Sequence, residues 1–430
     1  MGIRERFERG VWQLHNFRLL ISASMVSIFG SLVTITAFPF IAVHELDAGP
    51  AQMALLSLAG IVPSVLLGSL VGVWIDKMPA RAVMIGSDLV SAVALLAVPI
   101  AWWADHLSLG ILLAVALVTS IARLTFRVAD RSFLPRVVGK QYIESANATL
   151  SGGSAISEAA GFSFGGLLVQ LLSGPVALFV DAFSFLGSAL LLRKIEVEAP
   201  IIQEAADEPE THWKVALREG FSYLRRSPIL SPMALSVLLM SCGVEIVGTV
   251  YYIFVNRELG FEPGVLGFVF AVGGIGSLLG ATFATRATAR FGAGIALAGS
   301  LVVLGLATGL ITLATTAGIF ALTIMVIQQL GDACWVYYES TGTSLRQIEA
   351  PESMLGRING AFENIEFIGL LVGAGLGALI GEYIGLRPAI LAGAGLIALA
   401  ALPLMLSPVR QVKGLTATDP VDLPDRPLVA

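Results

Sequence analysis

Charge is what this chain has least of. Lys, Arg, Asp and Glu make up 13% of its 430 residues against 56% hydrophobic, and mean hydropathy is +0.84. A soluble chain of that length needs far more polar surface to cover its core. Cysteine is nearly missing too. Cys242 and Cys334 both fall inside apolar runs and read as small buried residues, which argues against a disulfide framework or a Cys/His metal site. The four histidines, His15, His44, His106 and His212, lie at run ends or in loops, so no imidazole relay is available between the runs. There is no Gly-x-x-x-x-Gly-Lys-Ser/Thr, and hence no nucleotide motor in the chain itself. No cofactor and no catalytic constellation is expected. The basic residues are dispersed among loops, which excludes a nucleic-acid surface. Met1 to Arg18 is charged and has no short apolar core with a cleavage site, so no removable signal is expected.

What remains is apolar runs. Cut at its polar breaks the chain yields spans at 17–43, 51–75, 82–103, 107–128, 147–172, 174–193, 229–255, 262–285, 292–315, 317–341, 356–381 and 386–407. Each is about the length a helix needs to cross ~30 Å of hydrocarbon. Of the 26 Lys and Arg, all but Arg257 and Arg387 fall on alternate breaks. The positive-inside rule makes that side cytoplasmic. The expectation is an all-α protein with twelve transmembrane helices, both termini inside, in the cell inner membrane. The long break carries Glu196, Glu198, Glu204, Asp207, Glu208 and Glu210, then a basic stretch from Trp213 to Arg226. It reads as a linker at 196–228 that ends in an amphipathic surface helix. The bundles are then 1–195 and 229–408, and 409–430 is a Pro- and Asp-rich tail.

The halves echo one another. Gly68-Ser-Leu-Val-Gly72 is matched by Gly276-Ser-Leu-Leu-Gly280, and Asn147, Gly161, Gly165 by Asn359, Gly373, Gly377. Six helices repeated and joined by one long linker is the architecture of a secondary transporter. Gly153, Ser157, Gly161, Gly165 and Gly369, Gly373, Gly377, Gly381 recur at every fourth residue. Such stripes let a neighbouring backbone approach closely, either as fixed packing or as a sliding surface.

Polar residues form stripes in the first, fourth, seventh and tenth spans. The first holds Ser24, Ser27, Ser31 and Thr34; the fourth holds Thr119, Arg123, Arg127 and Asp130. The seventh holds Ser241, Glu245, Thr249, Tyr252 and Asn256; the tenth holds Gln328, Asp332, Trp335 and Glu339. Residues three and four apart share a helix face, and ionisable groups at membrane depth avoid lipid. The four stripes are therefore expected to line one water-accessible cavity, with Phe126, Tyr252 and Trp335 as its aromatic contacts. Five carboxyls are candidate proton carriers: Glu245, Asp332, Glu158, Glu363 and Glu366. Each also has a plainer reading as a buried acid paired with Arg123 or Arg127 or held by hydrogen bonds. Asp181 reads as structural.

The loop after the second span, Gly72-Val-Trp-Ile-Asp76-Lys77-Met-Pro79-Ala-Arg81, resembles the Gly-x-x-x-Asp-Arg/Lys-x-x-x-Arg signature of the major facilitator superfamily. The resemblance implies a charge latch made by Asp76 and Arg81, with Asp130 as a partner. The second half carries Ala284 at the matching Asp position, and Phe162 stands where antiporters carry Pro in Gly-Pro-x-x-Gly-Gly. Leu345-Arg-Gln…Pro351…Gly356-Arg357-Ile and Val180-Asp181-Ala-Phe-Ser-Phe185 are similar to the bacterial branch of macrolide-efflux and enterobactin-exporter proteins. The resemblance covers residues 14–408 and implies two pseudo-symmetric six-helix bundles working by alternating access as a monomer in the lipid bilayer. The function it points to is proton-coupled export of an amphipathic small molecule. Two alternatives stand beside it: an uptake symporter for an anionic metabolite bound by Arg123 or Arg127, and a non-transporting membrane sensor.

Overall fold

The computed structural model describes residues 11–75, 78–196, 213–351 and 354–414. Among these residues there is no strand. In hydrocarbon every backbone N–H and C=O must be satisfied within its own segment, and a helix does this for an apolar run of any composition. The helices are α1 (His15–Phe40), α2 (Pro50–Ile75), α3 (Ala80–Trp103), α4 (Leu109–Val138), α5 (Ile143–Leu172) and α6 (Gly174–Arg193). They continue with α7 (Trp213–Arg226), α8 (Leu230–Ile253), α9 (Pro263–Phe291), α10 (Ala293–Leu310), α11 (Ile319–Leu330) and α12 (Asp332–Glu349). The last are α13 (Leu355–Tyr383), α14 (Leu386–Leu399) and α15 (Ala401–Met405). Eleven spans are long and apolar enough to cross a membrane, and α9, apolar over Pro263–Gly274, makes the twelfth.

Two helical extents differ from the sequence expectation. The fourth span runs on to Val138, ten residues past the hydrocarbon-length stretch, because a helix need not stop where lipid does. The tenth span is not one helix. It breaks at Gly331 into α11 and α12, and the Gly331 carbonyl accepts from Cys334 N–H at 2.8 Å, an i→i+3 bond that tightens the turn.

The described residues form two compact units. One holds α1–α6 with residues 261–271, the first turns of α9; the other holds α7, α8, the rest of α9 and α10–α15. In the first, Phe17, Leu20, Ile21, Met84, Phe133 and Leu192 fill a core. In the second, Leu230, Met233, Leu301, Tyr337, Ile358 and Phe362 do so.

The glycine stripes explain the closest helix pairs. A Cβ at Gly161 of α5 would lie 2.8 Å from Leu32 of α1, and one at Gly165 would lie 3.2 Å from the Val33 backbone. In the second unit a Cβ at Gly369 of α13 would lie 2.7 Å from the Leu238 carbonyl of α8; one at Gly373 would run into that of Cys242. So α5 lies on α1 as α13 lies on α8, each backbone to backbone. The echo reaches the helix ends: α1 and α8 both finish in a five-residue π-turn, Ile41–Glu45 and Phe254–Glu258.

Candidate functional site

Polar side chains gather separately inside each unit. In the first, Thr34 of α1 donates from Oγ1 to Asp181 Oδ2 of α6 at 2.5 Å, and Ser184 Oγ donates to Asp181 Oδ1 at 3.0 Å. Asp181 is 1% exposed. Arg123 of α4 acts electrostatically on it, while the buried Arg123 Nε makes no hydrogen bond. Gly30 completes the arrangement, since a Cβ there would strike Ser184 Oγ and Asp181 Oδ1. Asp88 of α3, also 1% exposed, faces Ser188 of α6 and feels the charge of Asp181. Asp181, buried and bonded to Thr34 and Ser184, is thus the centre of the cluster. Asp88 belongs to it although the sequence reading passed it over. Ser87, Asp88 and Ser91, a polar face within an otherwise apolar third span, was the signal that pointed there.

In the second unit the break at Gly331 places Asp332 on the first turn of α12. Gly273 of α9 lies so close that a Cβ would sit 2.6 Å from Asp332 Oδ2 and 2.8 Å from Gln329 Nε2. The Tyr251 hydroxyl donates to Gln328 Oε1 at 3.4 Å and feels the charge of Asp332, and Tyr252 meets Tyr251 edge-on with ring centroids 6.0 Å apart. Glu245, 8% exposed, lies one turn before Thr249 and against Gly373 of α13. Trp335 is half-buried against the core of this unit.

Several stripe hydroxyls are taken up by their own helices. Ser241 Oγ donates to the Val237 carbonyl at 2.8 Å, Thr249 Oγ1 to that of Glu245 at 2.9 Å, and Thr119 Oγ1 to that of Val115 at 2.8 Å. Back-bonding of this kind makes a hydroxyl tolerable in an apolar span without any ligand. Ser27 and Ser31 are half-buried on α1, and Phe126 is half-buried against the first core. Glu158 on α5 and Glu363 on α13 are exposed, and Glu366 is half-buried. Arg127 is exposed and reaches Ser64 Oγ of α2 at 3.4 Å.

Of the latch residues, Asp76 lies outside the described residues, and Gly72 stands near the end of α2. Arg81 donates from Nε to the Leu192 carbonyl at 3.0 Å and also binds that of Arg193, holding the C-terminal end of α6. Asp130 Oδ1 is buried without a hydrogen bond. Among the described residues no group of His, Cys, Asp and Glu could hold a metal ion.

Twelve apolar helices in two related units, each with ionisable groups turned to its interior, define a polytopic membrane transporter of the major facilitator fold. The chain matches the transmembrane secretion effector model over residues 12–430 and belongs to that family. It is 25% identical to the MFS-type transporter YfiS of Bacillus subtilis (strain 168), over 86% of this chain and 88% of that one. It is 23% identical to the multidrug efflux pump Tap of Mycolicibacterium fortuitum, over 87% and 91%. Among solved structures, a bacterial homologue of the iron transporter ferroportin in its inward-facing state superimposes with a TM-score of 0.74 at 16% identity, covering 91% of this chain and 98% of that one. The nucleoside transporter NupG superimposes with a TM-score of 0.72 at 17% identity, with the same coverage. At that identity these two establish the fold alone.

Proposed function

We propose that this transporter exports an amphipathic small molecule in exchange for protons, in the cell inner membrane with both termini cytoplasmic. The observation that carries the reading is Glu158, exposed and midway along a membrane-spanning helix. A carboxylate is costly against lipid tails at that depth, so this one is expected to look onto water. Glu245 and Asp332 are the favoured proton carriers, with Glu158, Glu363 and Glu366 as further candidates. Tyr252, Phe126 and Trp335 supply aromatic surface that tolerates varied ligands. The Asp76–Arg81 latch, with Asp130 beside it, is part of this proposal. Export of a drug-like substrate is supported by the likeness to Tap, named a multidrug efflux pump. The protein works as a monomer and binds no nucleic acid.

The test is an accumulation assay in an efflux-deficient bacterium, followed by everted vesicles loaded with a pH-sensitive dye. Adding a substrate should collapse an imposed pH gradient with wild-type protein and fail to do so with Glu245→Gln or Asp332→Asn. Full proton-driven efflux by both variants would refute the coupling.

A second reading rests on Arg123, whose buried Nε makes no hydrogen bond: uptake of a small anion bound by that guanidinium. Accumulation of labelled organic acids that rises with an inward proton gradient, and is lost in Arg123→Gln, would favour it over export.

A further inference from the structure

At one corner of the second unit α9 finishes at Phe291, α10 starts at Ala293, and the stretch after α15 folds back over the turn between them. Its main chain is pinned there. The Ala293 N–H donates to the Lys413 carbonyl at 3.3 Å, and the Gly294 N–H donates to that of Val412 at 3.0 Å. The first turn of a helix leaves such donors open, so the chain past α15 serves as the cap of α10. Gly292 turns the backbone at φ +81°, and a Cβ there would lie 3.2 Å from the Val412 carbonyl oxygen. A Cβ at Gly294 would lie 2.9 Å from the Cα of Arg410. Val409 and Val412 are buried beneath this clasp.

The clasp gathers cations. Arg290 of α9 and Arg410 and Lys413 of the folded-back stretch are all exposed. The Arg290 guanidinium stands 5.5 Å from the centroid of the Phe291 ring. Their own segments bring no counter-charge: no Asp or Glu occurs between Glu262 and Asp332, or between Glu382 and Asp419. No ion pair among the described residues reaches any of the three. The acid-bearing α12 meets α9 here through hydroxyls, Thr288 Oγ1 and that of Tyr337, 2.8 Å apart. Depth is fixed as well. Ala293 opens one apolar span and Met405 closes another, so the cations sit where hydrocarbon gives way to headgroups. Just inside that boundary Ile295 of α10 and Leu402 of α15 are exposed, and Phe291 and Leu406 are exposed on it.

We propose that Arg290, Arg410 and Lys413 form a binding site for the phosphate headgroup of an anionic phospholipid, with its acyl chains along Ile295 and Leu402. A phosphodiester accepts hydrogen bonds from guanidinium and ammonium groups alike, and both kinds are charge-assisted. Its tails already hold it at this depth, in the leaflet on the side where α10 begins. A dissolved anion would gain the charges without the apolar surface. One headgroup joins a cation of α9 to two of the C-terminal stretch, so the bound lipid strengthens the clasp. The inference is independent of the export reading, because it concerns neither the substrate nor the proton.

Native mass spectrometry of the full-length protein, titrated in detergent with phosphatidylglycerol or with phosphatidylcholine of matched chains, gives the affinity of each bound lipid. Wild type should bind its first phosphatidylglycerol more tightly than its first phosphatidylcholine. Arg290→Gln, Arg410→Gln and Lys413→Gln should each weaken that step by about fivefold, and the triple variant by about a hundredfold, the weight of basic side chains against an anionic headgroup. Phosphatidylcholine binding should not move. Arg290→Lys with Arg410→Lys keeps the charges and should keep most of the affinity. Arg225→Gln with Arg226→Gln takes two exposed charges from α7 and should leave the step unchanged. The proposal is overturned if the triple variant keeps its preference for phosphatidylglycerol, or if the α7 variant loses as much. Full competition by inorganic phosphate at equal concentration would make the ligand a dissolved anion and overturn the lipid. A preference that appears only when residues 415–430 are removed would make that stretch, with Asp419, Asp422 and Asp425, the occupant instead.

Discussion

Replacing Gly373 by Ala adds one methyl group to α13 at the place where it lies on α8. That carbon would overlap the Cys242 carbonyl oxygen and come within 2.9 Å of Glu245 Cβ. Neither neighbour is the loose end of a flexible side chain, so the helices themselves must part by several tenths of an ångström. Forcing an extra methyl into a closed contact costs about 1–3 kcal/mol. The gain in helix propensity on leaving glycine returns about 0.5–1 kcal/mol. The net loss is about 1–2 kcal/mol, which for a unit of this size lowers Tm by about 2–8 °C. Gly375, two residues along the same helix, is exposed with nothing within 4 Å of its Cβ position. There the same substitution collects only the propensity gain, and Tm should hold or rise by about 1–4 °C. Fluorescence-detected size exclusion after heating, at one scan rate in one detergent, measures both. Efflux should fall in Gly373→Ala, because Glu245 stands on the displaced face, and persist in Gly375→Ala. If Gly373→Ala melts at or above Gly375→Ala, the close packing of α13 on α8 is wrong.

Thr34→Val keeps the shape of the side chain and removes the donor to Asp181; it should cost about 1–3 kcal/mol, with Thr34→Ser restoring most of the loss, both read as apparent Tm. Glu219→Gln breaks the 2.6 Å ion pair with Arg357, whose partners are 37% and 44% exposed, so the change should stay under about 1 kcal/mol and Tm should move by less than about 3 °C. A larger shift would mean that α7 is held mainly by this pair instead of by Gly220 and Leu224 packing on the second core.

The spans and the glycine stripes were legible in the chain because both depend on one repeated requirement, hydrocarbon thickness for the first and backbone approach for the second. Gly161 and Gly373 could be paired in advance because they follow Asn147 and Asn359 in the same order; that they meet Leu32 and Cys242 is visible only in the structure. Residue pairs across helices were not legible in that way. Nothing in the local sequence couples Thr34 to Asp181, 147 residues away, or sets Ser188 against Asp88. Polarity by helix face does not reveal that the Ser241 and Thr249 hydroxyls close onto their own backbones. It undervalued Asp88, which stands in a span with no long polar stripe. The break at Gly331 escaped because glycine is common throughout these helices, 46 in all, so one more carries little information.

That break shapes the packing around it. At Gly273, Gly276 and Gly280 the facing side of α9 is bare backbone, lying against Asp332, Leu330 and Ala333 in turn. No side chain from those three positions stands between α9 and the turn, so the two backbones lie close together there. A methyl group placed at any of them would act as a wedge, pushing α9 off that turn.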